Sequence, residues 1–377
     1  MSANMSLEVP FIDLAWENRA LLPEIREAFE RVFASNAFVL GPEVEALEAE
    51  LAKRLNAPSV LGCSSGTDAE LIALMALGIG PGDEVITTPF TFVSTATCIV
   101  RVGASPVFVD IEPNGFHIDA SKITQVIGPR TRAIIAVHLY GQPADIDALL
   151  EISQRFQIHL LEDAAQSILA NTHRGMTGTI GTAGWISFYP TKNLGAFGDA
   201  GLVITRDPDL AKTMKMIRNH GAIERYEHLH VGGNFRMDAL QAAVLRVKLR
   251  KLEEWTAKRR KLASLYDTFF AELGIDPERF RPPPRLRETH VYHQYVVRST
   301  ERDALRLFLA ERGIATDIHY PKPLHLQPCF ARLGHKPLDF PEAERASREV
   351  LALPIHPSLS EAQIERVVSA IADFYRG

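Results

Sequence analysis

Cysteine is scarce in this 377-residue chain: Cys63, Cys98 and Cys329 stand far apart, odd in number and without a CxxC pair. That argues against a disulfide framework and against a cysteine-built zinc cluster, and no metal site is expected. Positive charge is in slight deficit, with 41 Lys plus Arg against 46 Asp plus Glu, a net of −5. A chain so balanced has no general electrostatic grip on nucleic acid. No stretch approaches about 18 uninterrupted apolar residues, the length of a membrane span. The first basic residue is Arg19 and no long apolar run precedes it, so no secretory leader is expected and the cytoplasm is the expected compartment. What is present is ordinary globular material, 46% hydrophobic and 23% charged, enough for a large core. At roughly 100–200 residues per domain, the length suggests about two or three domains.

Apolar residues recur at helical spacing over Leu21, Leu22, Ile25, Phe29, Val32 and Phe33, and again over Val44, Leu47, Leu51 and Leu55. A further helix is expected from Thr67 through Leu77. Short apolar runs then alternate with helical ones: 85–88, 106–110, 133–137, 158–163, 185–188 and 202–205. Runs without in/out alternation belong to a sheet buried on both faces, and helices between them make it mostly parallel. The fold class is therefore α/β. From Leu245 to Lys261 a helical pattern dense in Lys and Arg reads as the solvated face of a connecting helix. Beyond it, Pro282-Pro283-Pro284 marks a loop, an alternating strand is expected over 291–297, and helices over 302–312 and 360–374. The expected division is a large α/β domain over 1–245 and a smaller α+β domain over 246–377.

Several motifs are absent or misplaced. Gly78-Ile79-Gly80-Pro81-Gly82 follows a helix and leads into a strand, the reverse of a dinucleotide loop, and reads as a turn. Walker A and HExxH patterns do not occur.

Three features converge instead. The apolar run Ile158 to Leu161 ends in Glu162-Asp163, at the strand end where open α/β sheets place their ligands. A carboxylate half-buried there needs a cationic partner such as a protonated pyridine nitrogen; equally, Asp163 could cap a helix at 164–166. Lys192 stands in an uncharged loop after a strand, with Gly178, Gly181 and Gly184 before it and Gly195, Gly198 and Gly201 after it. Glycines allow close approach of backbone to a ligand, and a desolvated lysine becomes a usable amine nucleophile; the alternative is a solvated surface lysine. Cys63 to Ala69 opens a helix whose N–H groups and Thr67 hydroxyl suit a phosphate, or serve only as an ordinary capped start. Aldehyde acceptor, pyridinium partner and phosphate cradle together describe pyridoxal 5′-phosphate.

These residues resemble the DegT/DnrJ/EryC1/StrS family of pyridoxal-phosphate-dependent sugar aminotransferases. The resemblance runs in family order through Ser65-Gly66-Thr67-Asp68-Ala69, Pro89-Phe90-Thr91-Phe92, Glu162-Asp163-Ala164-Ala165-Gln166-Ser167, Ser187-Phe188-Tyr189-Pro190-Thr191-Lys192, Gly232-Gly233-Asn234-Phe235-Arg236-Met237 and His319-Tyr320-Pro321. It implies a fold-type I aminotransferase in which two subunits complete each active site. Lys192 matches the lysine that bonds the cofactor aldehyde, Asp163 the partner of the ring nitrogen and Gln166 the contact on the O3′ side. Gly66, Thr67 and Ser187 match phosphate contacts, Phe92 the aromatic residue stacked on the ring, and Asn234 a residue reaching the phosphate of the neighbouring subunit. Arg236 is either a carboxylate fork for the amino donor or a structural ion-pair partner. His319, Tyr320 and His325 match the sugar-side loop, with a purely structural role open for each histidine.

The implied reaction moves an amino group from an amino acid, expected to be L-glutamate, to a keto group on a nucleotide-linked sugar. The run Ile318 to Gln327 is closer to members that act on 3-keto than on 4-keto sugars. Some members are sugar dehydratases with histidine at the position of Lys192; dehydration, or sugar-nucleotide binding by a regulatory protein, are the alternatives.

Overall fold

Short strands that are apolar at every position need cover on both faces, and the fold provides it. The structure, a computed structural model, describes residues 8–284 and 289–376. Strands β1 (Ser59–Cys63), β2 (Glu84–Thr87), β3 (Ser105–Phe108), β4 (Thr131–Val137) and β5 (His159–Asp163) come first. A small hairpin, β6 (Asn171–Thr172) and β7 (Gly175–Met176), precedes β8 (Ala183–Ser187) and β9 (Gly201–Thr205). Seven of these form one sheet in the order β1-β9-β8-β5-β4-β2-β3. Neighbours from β3 across to β8 are parallel, and only β9 runs against its neighbours β8 and β1.

Successive residues of β4 enter opposite cores. Ile134 and Ala136 join Ile86 and Leu160 on one face, while Ala133, Ile135 and Val137 join Val85 and Leu161 on the other. Likewise Ile186, Leu202 and Ile204 face one side, and Trp185 and Val203 the other. Each such side chain contributes about 1.5–3 kcal/mol on leaving water, so the sheet registers are fixed by burial on both sides and its edge of strand ends is rigid.

After the exposed hairpin β10 (Ala222–Glu224) and β11 (Glu227–His228), the chain builds a second unit. It is an antiparallel sheet of β12 (Phe280–Arg281), β13 (Tyr295–Ser299) and β14 (Val350–Leu353), packed against helices Arg302–Ala310 and Glu361–Arg376 through Val297, Leu305, Leu351, Val367 and Ile371. Among the described residues no helix is long and apolar enough to cross a membrane.

Three details differ from the sequence reading. The basic stretch 245–261 spans two helices, Ala239–Leu249 and Leu252–Leu273, because Leu249 and Leu252 both turn into one core cluster. The division expected between 245 and 246 falls inside the first of them. Over 291–297 only Tyr295 onward is strand: Val291 N–H donates to the Gly141 carbonyl at 2.9 Å and Gln294 N–H to that of Tyr140 at 3.2 Å, which lays 291–294 along the mouth of the large sheet.

Candidate active site

The strand ends Cys63, Val137, Asp163 and Ser187 converge on one edge of the large sheet, and a cavity of about 550 Å³ opens there. At one end, β1 passes into helix Gly66–Ala76. Ser65, extended at φ −163°, caps it by accepting the Asp68 N–H at 3.0 Å, which leaves the N–H groups of the first turn facing the cavity. The close fit depends on glycine: a Cβ on Gly66 would stand 2.8 Å from the Ser187 Cβ, and one on Gly201 would stand 2.3 Å from the Ser65 carbonyl carbon. Positive helix terminus, Thr67 and Ser187 hydroxyls together make an anion cradle.

At the centre lies Asp163, buried, with Thr95 Oγ1 donating to its Oδ2 at 3.0 Å and the Ala165 N–H to its Oδ1 at 3.1 Å. No helix begins there; the Ala165 bond closes a turn instead. Burial pushes its carboxyl above the usual range, against the pull of these two donors, Lys192 and His138. Lys192 lines the same cavity on the loop after β8, and burial brings its ε-ammonium down to about 8 although Asp163 opposes the shift. Phe92 projects half-exposed into the cavity, its ring centroid 6.1 Å from that of Tyr320. Gln166 accepts the Tyr140 N–H at 2.7 Å and donates to the Tyr320 hydroxyl at 3.2 Å.

The wall opposite the large sheet comes from the second unit: His293, Gln294, His319 and Tyr320. His319 stacks on Phe11 and points Nε2 at Asp317, 3.5 Å away. Its Nδ1 and the Gln294 Oε1 are buried without a partner among the described residues. Burial lowers the His319 imidazole and raises the Tyr320 phenol, so both are neutral at physiological pH.

Three residues singled out from the sequence lie elsewhere. His325 is buried with its Nε2 3.2 Å from Glu344 Oε1 and its ring edge-on to Phe340, and it does not line the cavity. Asn234 and Arg236 also lie off it: Arg236 donates to Asn234 Oδ1 at 2.8 Å and to Asn219 Oδ1 at 3.2 Å, a hydrogen-bonded set with no acidic partner among the described residues. The glycines around Lys192 serve packing. A Cβ on Gly181 or Gly184 would stand 2.4 Å from the carbonyl oxygen of Leu160 or Gly178 respectively.

Those glycines frame a pair that the sequence reading passed over. Glu162, fully buried, accepts the N–H groups of Gly178, Ile180 and Gly181 at 2.6–2.8 Å and the Nε2–H of His138 at 3.0 Å. His138 Nδ1 in turn accepts the Ala144 N–H at 3.1 Å, which fixes its tautomer. The strand-end rule that singled out Asp163 covers both residues, since His138 follows β4 directly. Thr95 carried no signal in the sequence, and His293 and Gln294 were masked by the alternating pattern around them.

The arrangement fits the cofactor inferred from the sequence. An anion cradle, a buried carboxylate short of a cation and a reactive amine share one cavity, and an aromatic ring and orphaned polar atoms remain for further ligand contacts.

A profile described as the DegT/DnrJ/EryC1/StrS aminotransferase family matches residues 20–372. A pleiotropic regulatory protein of Geobacillus stearothermophilus is 48% identical, over 98% of this chain and 99% of its own length. A UDP-2-acetamido-2-deoxy-3-oxo-D-glucuronate aminotransferase of Pseudomonas aeruginosa is 40% identical, over 97% of this chain and 100% of its own length. The crystal structure of S. venezuelae DesV matches with a TM-score of 0.94 at 41% identity, covering 98% of this chain and 99% of that one.

Proposed function

The chain belongs to the DegT/DnrJ/EryC1/StrS aminotransferase family, and on that premise we propose that it is a pyridoxal 5′-phosphate-dependent transaminase whose acceptor is a keto group on a nucleotide-linked sugar. The observation that carries this reading is the meeting of Lys192, Asp163 and an open helix N-terminus in one cavity.

Bound there, the cofactor supplies an aldehyde for the migrating amine and a ring that takes up the electron pair left when a Cα–H bond breaks. Backbone N–H groups at Gly66 and Thr67, with the Thr67 and Ser187 hydroxyls, hold its phosphate. Asp163, fixed by Thr95 and Ala165, keeps the ring nitrogen protonated, and that proton meets the buried carboxylate's need for a positive partner. Phe92 would cover a ring face, worth about 0.5–1.5 kcal/mol beyond its burial, and Gln166 would contact the O3′ side. Lys192 Nζ takes the proton from the donor's Cα in the first half-reaction and gives one to the sugar carbon in the second. An amine near 8 is suited to both tasks.

L-Glutamate is the proposed donor and a 3-keto sugar the proposed acceptor. The stretch from Ile318 to Gln327 and the 3-oxo substrate in the name of the Pseudomonas relative support the position on the sugar. His319 and Tyr320 are the proposed sugar contacts on this wall. Asn234 and Arg236 are proposed to act in a second copy of the chain, the former at the phosphate and the latter at the donor's carboxylate. Ile223, Tyr226, Leu229 and Val231, exposed beside them, support such a homodimer. The name of the Geobacillus relative keeps a regulatory role as the second reading.

The test is the visible spectrum of purified protein before and after L-glutamate, with Lys192→Ala alongside. A cofactor band that glutamate bleaches in wild type and not in the variant supports the first half-reaction. Cofactor uptake without bleaching points to another donor or to elimination, and no uptake sinks the enzyme reading. A panel of 3-keto and 4-keto nucleotide sugars then decides the acceptor; turnover of 4-keto substrates alone would overturn the 3-keto assignment.

A further inference from the structure

Gln166 is held in one orientation. Its Oε1 accepts the Tyr140 N–H at 2.7 Å, and because a backbone N–H only donates, the amide nitrogen is the end turned to Tyr320. Nε2 gives one of its two protons to the Tyr320 hydroxyl oxygen at 3.2 Å. Two protons are left over, the second on Nε2 and the one on the phenol, and neither has an acceptor among the described residues. Both side chains line the cavity. Tyr140 sets both donors in place. It takes up the left-handed conformation at φ +61° to offer its N–H, and its own hydroxyl donates to the carbonyl of His319, the residue before Tyr320. Such a backbone is costly for a residue other than glycine and persists where the surroundings enforce it.

We propose that Gln166 and Tyr320 form a two-donor site for one ligand oxygen, the ring hydroxyl oxygen O3′ of pyridoxal 5′-phosphate, with the Tyr320 O–H as the second donor beside Gln166. The assignment rests on the cofactor reading that gives Gln166 the O3′ side. The surrounding charges favour this oxygen over the keto oxygen of a sugar. Asp163, the partner of the ring nitrogen, is the charged group that acts on the Tyr320 phenol, whereas Lys192, the reacting amine, acts on His319 and His293. The Tyr320 hydroxyl is thus flanked by the two residues assigned to the ring and not by the amine. Burial keeps the phenol protonated at physiological pH, as a donor must be. Two donors on a ring oxygen favour its ionised form, and bonds to an ionised oxygen are the stronger class. On this assignment Tyr320 meets the sugar through its ring and not through its hydroxyl.

The test is a pair of calorimetric titrations of cofactor-free protein, one with pyridoxamine 5′-phosphate and one with its analogue carrying hydrogen in place of the ring hydroxyl. Neither compound has an aldehyde, so neither result depends on Lys192 as a nucleophile. Wild type is expected to bind the hydroxyl compound more tightly than the analogue. Tyr320→Phe should bind the hydroxyl compound about tenfold more weakly than wild type does, with its affinity for the analogue within about twofold. Unchanged binding of the analogue also reports that the cavity of the variant is intact. A variant that weakens both compounds alike has lost packing and overturns the proposal. Equal affinity of wild type for the two compounds overturns it without any variant. If Tyr320→Phe binds both as wild type does, and the cofactor-loaded variant instead binds a nucleotide-linked 3-keto sugar more weakly, the phenol proton belongs to the sugar and the proposal falls. Two failures are thereby kept apart. Wild type that does not take up pyridoxamine 5′-phosphate removes the cofactor reading itself, whereas uptake that Tyr320→Phe leaves unchanged removes only the role of Tyr320.

Discussion

Burial pushes the Asp163 carboxyl above its usual range, and the fold tolerates the cost because Thr95 and the Ala165 N–H offset part of it. An acid raised on folding destabilises the native state above its folded pKa, and the penalty vanishes once pH drops below the unfolded value near 3.8. Asp163→Asn is therefore expected to raise the melting temperature of cofactor-free protein by a few degrees at neutral pH. No gain is expected in acid below that unfolded value, as calorimetry at the two conditions would read. The same variant should slow the glutamate half-reaction by at least about a hundredfold, since the ring-nitrogen proton loses its partner. The residues of the cavity floor, Gly66, Thr67, Asp163, Gln166, Ser187 and Lys192, were legible because each sits in a contiguous motif at a strand end. Thr95, His293 and Gln294 were not, because they reach the cavity through packing that no local pattern encodes. His325 misled for the complementary reason: its neighbours in sequence resemble a loop that binds sugar, while its own side chain is committed to Glu344.

Elements were most readable where both faces of a strand are buried. The runs chosen for β2, β3, β4, β5, β8 and β9 each lie within a few residues of the observed strands. β1 escaped because Gly62 interrupts a run of only five residues whose end doubles as the helix-opening motif. The helix after β1 is where element geometry becomes chemistry. Gly66→Ala would place a methyl group 2.8 Å from the Ser187 Cβ, so helix and β8 must separate. Overpacking of that kind costs about 1–3 kcal/mol, and cofactor affinity is expected to fall by about tenfold, measurable by absorbance titration of the cofactor-free protein.

At the scale of the whole molecule, apolar side chains stand exposed around β10 and β11, where Tyr226 is 83% and Val231 88% exposed. Apolar side chains so placed are where the proposed homodimer would bring its second copy. Replacing both with aspartate is expected to shift sedimentation to a single chain and to abolish transamination, because Asn234 and Arg236 then have no second active site to enter. The overall architecture was legible in the apolar runs separated by helices; the expectation of paired copies came only through the family resemblance and stands as a proposal. The cavity itself has two authors within one chain. Its floor is drawn by residues 65–200 of the large unit, and its facing wall by 293–320 of the smaller unit. On the proposed function the chemistry belongs to the floor and the choice of sugar to the wall, so a lineage could exchange one sugar for another by redrawing the wall around His319 and Tyr320 while inheriting the reaction unchanged. One scaffold could in this way supply many different amino sugars without reinventing how the nitrogen is carried.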